Sequence, residues 1–479
     1  MLGYYFIIAV AIIASLLLTR KVLQHKILLV LFNGLQWSLT LYMCFHLHSE
    51  ELGYFTADAT AIIMLIVLSI LATTSSFHSI YYLQHHHQRH ATPQHAQAIY
   101  YAALCILIMA QTGAFLSSHI AVTWIFIELT TFSAAILIYH ERKEDAVEAT
   151  WKYLFVCSVA LTLAFTGILF LSISAQASGT IDLSYRSLVN HAATFNPSWL
   201  KLSFLLILVG YSAKMGLFPM HTVCVDAHTV APPPISAFIS TTLMNVGFVA
   251  IFRMYSIIAS TSILIWANHV LILAGTLSVF VAVVYLMQVH HFKRMFAYSS
   301  LENMGLVAIG LGVGGIGYYA VFLHLIFHSF TKASMFYQIQ QVHHIYKSYL
   351  IKNTGNYFKY YLPGAVVILL SFISITGIPP SGMFFSEFMM FRALFEHQYY
   401  ILLIIVLILL SFTIWALGRN FFRLVFSTPE DLDESRLDQG DPVQSISQYV
   451  LLGLVIYLGF NPPSQMVALI NEAIKNLPF

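Results

Sequence analysis

Charge is what this sequence lacks. Of 479 residues, 20 are acidic and 22 are lysine or arginine, 9% of the chain against 59% hydrophobic residues, and the mean hydropathy is +0.78. A soluble domain carries about 25% charged residues, so this composition excludes a surface that faces water over most of its area. The formal net charge of +2 excludes the basic footprint of a nucleic-acid-binding protein. Cysteine is scarce too. Cys44, Cys105, Cys157 and Cys224 include no C-x-x-C pair, and three lie in apolar runs. They read as small buried hydrophobes, not as ligands to nickel or an iron–sulfur cluster. No nucleotide-binding loop is present. The chain is therefore expected to hold no cofactor and to carry out no redox catalysis of its own.

What is there is apolar length. A spanning helix needs roughly 20 mostly apolar residues, and about 14 stretches meet that length. They run over 3–19, 26–46, 58–82, 97–116, 118–139, 148–174, 200–219, 232–258, 262–288, 295–314, 317–342, 361–394, 400–424 and 446–463. The predicted class is all-α integral membrane. The first stretch has no basic run before it and no convincing small-residue cleavage site, so it reads as a retained helix. With the N-terminus outside, the inside loops carry Arg20, Lys21, Lys26, Arg89, Arg142, Lys143, Lys293, Arg294, Lys347, Lys352, Lys359, Arg419, Arg423 and Arg436. The outside segments carry only Arg186, Lys201 and Lys475. That imbalance obeys the positive-inside rule with both termini outside.

Two loops are long. Residues 175–199 are mixed polar and read as a cap on the outer face; residues 426–445 are the most acidic stretch, a solvated loop or a docking patch. His85, His86, His87, His90 and His95 read as a solvated inside loop. Segments 200–219 and 361–394 are interrupted by Gly216 and Pro219 and by Gly377, Pro379 and Pro380. Paired broken helices in the two halves of a membrane protein point to a transport path, because the freed backbone groups must face protein or water.

The informative residues are ionisable groups at membrane depth: Lys152, Lys214, Arg253, Lys332 and Arg392, with the acids Glu128 and Glu387. A charge at the bilayer centre costs about 2.5–3.5 kcal/mol, so such groups pair or line a wet cavity. Arg253 and Arg392 lie near helix ends and read first as structural pairs or snorkelling residues. Glu128 with Lys214, and Lys332 with Glu387, form two separated acid–lysine sets, each near a broken helix. Burial disfavours the charged form of either group and an opposite charge restores it, so a pair that forms and breaks takes up and releases protons. His324, His328 and Lys332 recur every four residues and share one helix face. Imidazole exchanges protons near neutral pH, so the stripe reads as a relay. A metal site is the weaker reading, since no nearby acid or cysteine completes a ligand set.

The stretches YSAKMGLFPMHTVCVDAHTVAPPPISAFIS (211–240), HHFKRMFAYSSLENMGLVAIGLG (290–312), HLIFHSFTKASMFY (324–337) and ITGIPPSGMFFSEFMMF (375–391) resemble the antiporter-like subunits of respiratory complex I, Mrp antiporters and membrane-bound hydrogenases, over most of residues 98–425. The resemblance implies 14 helices in two inverted five-helix repeats, each with a broken helix. It divides the chain into N-terminal helices (1–97), a first repeat (98–260), a second repeat (261–425) and an acidic loop with the last helix (426–479). By position, Glu128 is similar to the family's fifth-helix glutamate, Lys152 to the sixth-helix lysine and Lys214 to the lysine of the broken seventh helix. Lys332 is similar to the central lysine of the eleventh helix, with His324 and His328 before it. Glu387 is similar to the acid some members carry in the twelfth helix. Where many complex I members have an eighth-helix lysine, this chain has Asn245. That departure, with AYSSLENMG and Glu387, most resembles the hydrogenase-4 component F branch of group 4 [NiFe] hydrogenases. Water or His221 would then link Lys214 to the central chain. The resemblance implies a proton-translocating subunit in the cell membrane, beside other membrane subunits and peripheral subunits that carry Fe–S and NiFe centres. A complex I subunit and an Mrp-type cation/proton antiporter subunit are the alternatives, with sodium the alternative coupling ion.

Overall fold

The structure is a computed structural model that describes residues 1–90, 94–179, 182–429 and 437–478, with 85–90 and 94 described by backbone alone. The first helices are α1 (Leu2–Leu18), α2 (Val22–Phe45), α3 (Ala59–His90), α4 (Gln94–Leu116), α5 (Ile120–Ile138) and α6 (Glu144–Ala177). A short α7 (Tyr185–His191) lies in the loop before α8 (Pro197–Met215). Then come α9 (Thr222–Val230), α10 (Pro233–Phe238), a π-turn (Ile239–Leu243), α11 (Met244–Ile258), α12 (Leu264–Leu286), α13 (Phe292–Val313) and α14 (Ile316–Tyr346). The chain closes with α15 (Tyr357–Tyr360), α16 (Leu362–Ile375), α17 (Gly382–Glu396), α18 (Tyr400–Phe426), α19 (Pro442–Phe460) and α20 (Ser464–Ile474). The only strands among the described residues are a two-residue pair, Glu50–Glu51 with Phe55–Thr56.

Nine helices among the described residues are long and apolar enough to cross a membrane. Helices α8, α13 and α14 fall outside that set, and they are the ones that carry Lys214, Glu302 and Lys332. Their polarity follows from position. Nearly every residue of α13 and α14 is buried, and α10 with α11 is buried throughout. These helices meet protein on nearly all sides, whereas only 33% of the apolar stretch in each of α2, α18 and α19 is buried, and lipid or another membrane subunit suits what is left outside.

The break expected in the 361–394 stretch is present and divides it into two helices, because Gly377 takes a left-handed φ of 59° and Pro379 and Pro380 cannot continue a helix. Elsewhere the structure departs from the sequence expectation. The histidine-rich stretch expected as a loop continues α3 to His90, since the first proline after it is Pro93; the side chains of 85–90 and residues 430–436 of the acidic loop, Arg436 included, lie outside the described residues. Lys293, expected in an inside loop, is buried in the first turn of α13. Helix α20 lies beyond the apolar stretches of the sequence; it packs Ile470 and Ile474 inward, against α3 and α14.

The break after Lys214 depends on one close approach. A β-carbon on Gly247 of α11 would sit 2.4 Å from the Met215 backbone nitrogen and 2.8 Å from the Lys214 carbonyl carbon. Backbone cannot yield as a side chain can. Gly247→Val is expected to destabilise the fold by about 1–3 kcal/mol, read as a lower thermal midpoint in detergent, and Val246→Ala beside it is the comparison that should change less.

Candidate functional site: a buried line of ionisable groups

Lys214 occupies the last turn of α8, which Gly216 ends in the left-handed conformation (φ 76°). The side chain is buried. Its Nζ donates to the Tyr153 hydroxyl at 3.0 Å and lies 5.0 Å from that ring's centroid. Cys157 of α6 adjoins the same lysine. Glu128 on α5 is within electrostatic reach of Lys214 but makes no ion pair with it, and its Oε2 is buried without a hydrogen-bond partner. The structure thus brings the two within electrostatic reach, with Tyr153 and not Glu128 bonded to the Lys214 ammonium.

Between this cluster and the second half lies the π-turn in ISTTL, which widens the helix one turn before Asn245. Asn245 Nδ2 donates to Ser329 Oγ at 3.0 Å, while its Oδ1 is buried and unpartnered. Ser240 in the π-turn bonds Ser300 of α13 at 2.6 Å. His328, beside Ser329 on α14, is fully buried with neither ring nitrogen bonded.

Lys332 is fully buried. Its Nζ donates to the Phe296 carbonyl at 2.8 Å and to the Ser299 hydroxyl, both on α13. Glu302, one turn farther along α13, is within its electrostatic reach. From Glu302 hydrogen bonds run on as far as Ser386. Asn303 Nδ2 donates to Glu302 Oε2 at 2.7 Å and to the Ser299 carbonyl at 2.6 Å. Asn303 Oδ1 meets His324 Nε2 at 3.0 Å, and His324 Nδ1 meets Ser386 Oγ at 3.0 Å. With Nε2 donating to the amide oxygen, Nδ1 is left to accept from Ser386, whose single hydroxyl proton serves either Nδ1 or the Met383 carbonyl at 2.9 Å. Glu387 follows on α17. Its carboxylate packs so closely on Gly377 that a β-carbon there would lie 2.2 Å from Oε2. Glu302 and Glu387 together line a cavity of about 180 Å³ with Thr376, Ser411 and Thr413, room for several waters at about 30 Å³ each.

Not every sequence candidate joins this line. Lys152 is exposed on α6 and pairs with Glu148 one turn away at 2.5 Å, with no bond to Lys214. His221 is buried at the head of α9; its Nδ1 is unpartnered and its ring stacks on Phe218 at 6.1 Å. Arg392 pairs with Glu396 on the surface at 2.8 Å.

Arg253 is a fastener. Its Nη2 bonds Asp58 at 3.2 Å and the Phe115 carbonyl at 2.5 Å, and its guanidinium lies 5.0 Å from the Tyr185 ring. Asp58 is 41% exposed, so the ion pair itself contributes little. The carbonyl stripped of its donor costs about 1–3 kcal/mol. Arg253→Ala should therefore lower the thermal midpoint while transport per folded molecule stays near wild type, and a selective loss of transport would reassign it to the path.

Three residues escape sequence reasoning. Glu302 sits in AYSSLENMG, an acid inside an apolar helix, and that isolation is its signal. Lys293 donates to the Ala231 carbonyl at 2.5 Å and lies 4.9 Å from the Tyr349 ring. His228, bonded through Nδ1 to the Ser236 carbonyl at 3.2 Å, has a free buried Nε2 and stands within electrostatic reach of both Lys332 and Lys293. Nothing in the sequence signals that His228 spans two lysines far apart in the chain. No cluster among the described residues has three ligands placed to hold a metal ion.

The sequence model of the family described as NADH:quinone oxidoreductase/Mrp antiporter, transmembrane, matches residues 117–413. The hydrogenase-4 component F homolog of Methylacidiphilum infernorum is 31% identical over 313 residues, 64% of this chain and 66% of that protein. A Na(+)/H(+) antiporter subunit A1 of Staphylococcus saprophyticus is 26% identical over 404 residues, 78% of this chain and 49% of that one. The matched chain thus spans just under two thirds and about half the length of these relatives. Among solved structures, a chain of an archaeal membrane-bound sulfane sulfur reductase superposes with a TM-score of 0.84 at 20% identity, covering 99% of this chain and 96% of that one. That likeness bears on the fold alone.

Proposed function

The chain belongs to the NADH:quinone oxidoreductase/Mrp antiporter transmembrane family, and from that premise we propose that it carries protons across the cell membrane as a subunit of a redox-driven complex of the hydrogenase-4 type. The observation that carries this reading is the polar line from Lys332, with Glu302 in electrostatic reach, through Glu302, Asn303 and His324 to Ser386, beside Glu387 on α17, with α13 and α14 buried almost throughout. A structural ion pair needs two residues. A run of this length, ending at a cavity lined by carboxylates, is what ion conduction requires: sites stable enough to load and weak enough to release.

The path starts from the basic face at Lys214, whose proton affinity Glu128 modulates. It crosses by Asn245 and Ser329 to His328 and Lys332, and it leaves by His324 and Glu387. Lys293 and His228 supply a second intake to Lys332 from the basic face. Lys152, exposed beside Glu148, serves the outer edge of the first intake. Asn245 cannot titrate, so it orients a water or passes a proton by hydrogen-bond exchange. The 14-helix plan with two inverted repeats is supported by the matching breaks after α8 and α16, each at a left-handed glycine, Gly216 and Gly377. On that plan the repeats cover 98–260 and 261–425 between the flanking segments 1–97 and 426–479, and both termini face outward. The outward apolar faces suit other membrane subunits and lipid. Peripheral subunits with Fe–S and NiFe centres supply the redox drive, and this chain takes no catalytic part in it.

A second reading, an Mrp-type cation/proton antiporter subunit, draws on the resemblance to the Staphylococcus antiporter subunit. Both readings are tested in inverted vesicles that hold the intact complex. Lys214→Ala should cut redox-driven proton uptake about tenfold, equivalent to 1.36 kcal/mol on the barrier, at unchanged redox turnover, with Lys152→Ala affected less. Uptake that follows an imposed sodium gradient and ignores redox turnover would favour the antiporter. Uptake unaltered in Lys214→Ala would reduce the chain to a scaffold.

A further inference from the structure

On the basic face, away from the proton line, four side chains converge that the proposed function does not use. Arg419 and Arg423 stand one turn apart at the end of α18 and so share a face. Lys352 and His290 approach from the segments that flank α15 and α13. Two adjoining hollows of about 820 and 620 Å³ lie here, and Lys352, Arg419 and Arg423 line both. No acidic side chain is among their described lining residues.

Among the described residues the cations are held apart from protein anions. Arg419 is fixed by its environment: the guanidinium lies 4.9 Å from the Trp415 ring and Nη2 donates to the Met287 carbonyl at 3.3 Å. Neither Lys352 nor Arg423 makes an ion pair or side-chain hydrogen bond among the described residues. Three like charges gathered with no counter-ion among the described residues attract a ligand that supplies negative charge.

The surroundings decide the ligand's class. Helix α18 is among the least buried of the membrane-long helices, and Trp415, Phe422 and Phe426 project from it at 52%, 47% and 55% exposure. Exposed aromatics at the end of a spanning helix mark the level of the lipid headgroups. A basic pocket between helices at that level matches a phosphate with acyl chains below it. We propose that His290, Lys352, Arg419 and Arg423 form a binding site for the phosphate of an anionic phospholipid, with the acyl chains lying along Trp415 and Phe412 toward the membrane interior. The inference needs only that α18 spans the membrane and stands whether or not the proton line conducts.

The test uses the full-length chain in phosphatidylcholine nanodiscs, with brominated phosphatidylglycerol as the probe and quenching of Trp415 fluorescence as the signal. Trp415→Phe supplies the background from the other tryptophans. Saturable quenching by phosphatidylglycerol, with none by brominated phosphatidylcholine, is the expected result. Lys352→Gln and Arg423→Gln should each weaken it about fivefold, from roughly 1 kcal/mol per basic residue, and Arg423→Lys should retain it. These residues are exposed, so the variants leave the core intact. Equal quenching by both lipids, or no change in the charge-removed variants, would overturn the proposal and leave the face to a partner subunit. Displacement of the lipid by millimolar inorganic phosphate would identify a free-anion site and overturn the lipid assignment.

Discussion

Lys332→Ala is expected to stop redox-driven proton uptake, by about 100-fold or more, while the chain still inserts and assembles. A positive charge at the bilayer centre costs about 2.5–3.5 kcal/mol in the absence of a group that holds it. At 1.36 kcal/mol per tenfold in rate, losing that group corresponds to about 100-fold. Lys332 is where the protein holds the charge: its Nζ has the Phe296 carbonyl and Ser299 on one side, with Glu302 in reach. Alanine leaves those acceptors facing an apolar gap. Lys332→Arg separates charge from titration, because arginine keeps the charge and does not release its proton. The arginine variant should assemble as well as wild type and translocate no better than alanine. Vesicle acidification at matched redox turnover reads both, and uptake sustained by arginine would refute a titrating role for this position.

The second large effect is expected at Glu302. Glu302→Gln keeps the shape and the contact with Asn303 Nδ2 but removes the ionisable carboxyl that faces Lys332 on one side and Glu387 on the other. One pKa unit of altered affinity corresponds to 1.36 kcal/mol, so a change of that size at Lys332 should slow uptake about tenfold. Glu302→Asp, which keeps the carboxyl, should retain most of it. The comparison discriminates because a merely structural Glu302 would tolerate the isosteric amide better than the shorter acid. An amide variant with wild-type uptake and an aspartate variant without it would reverse the assignment.

Much of the fold is legible because a bilayer imposes few and strict rules. Apolar runs have to be helices, and both breaks fall where glycine and proline stand, at Gly216–Pro219 and Gly377–Pro380. The outermost helices are easiest to read, since lipid demands continuous hydrophobicity. The central ones are harder: a helix surrounded by protein needs no such purity, so α13 and α14 dilute their apolar signal with serine, asparagine and histidine. The same freedom hides Lys293. It reads as a loop charge because it adjoins Arg294, yet Lys293 points inward to the Ala231 carbonyl and Arg294 outward to Asp226 at 3.0 Å. Successive helical residues point about 100° apart, which a count of loop charges does not register.

Sequence alone determined that this chain lives in a membrane, which helices are broken, and which charges are too costly to be accidental, because those follow from composition and local backbone chemistry. It also named Lys214, Lys332, His324 and Glu387, as two acid–lysine sets and one helical stripe. Only the tertiary structure decided who faces whom: that Tyr153 rather than Glu128 holds the Lys214 ammonium, that Asn303 joins Glu302 to His324, that Lys152 stays outside, and that His228 stands between two lysines. Most of those pairings connect residues far apart in the chain, and helices of any one sequence can pack in many rotations about their axes. Which face meets which neighbour is settled by side-chain fit across the whole bundle, and a single helix does not record it.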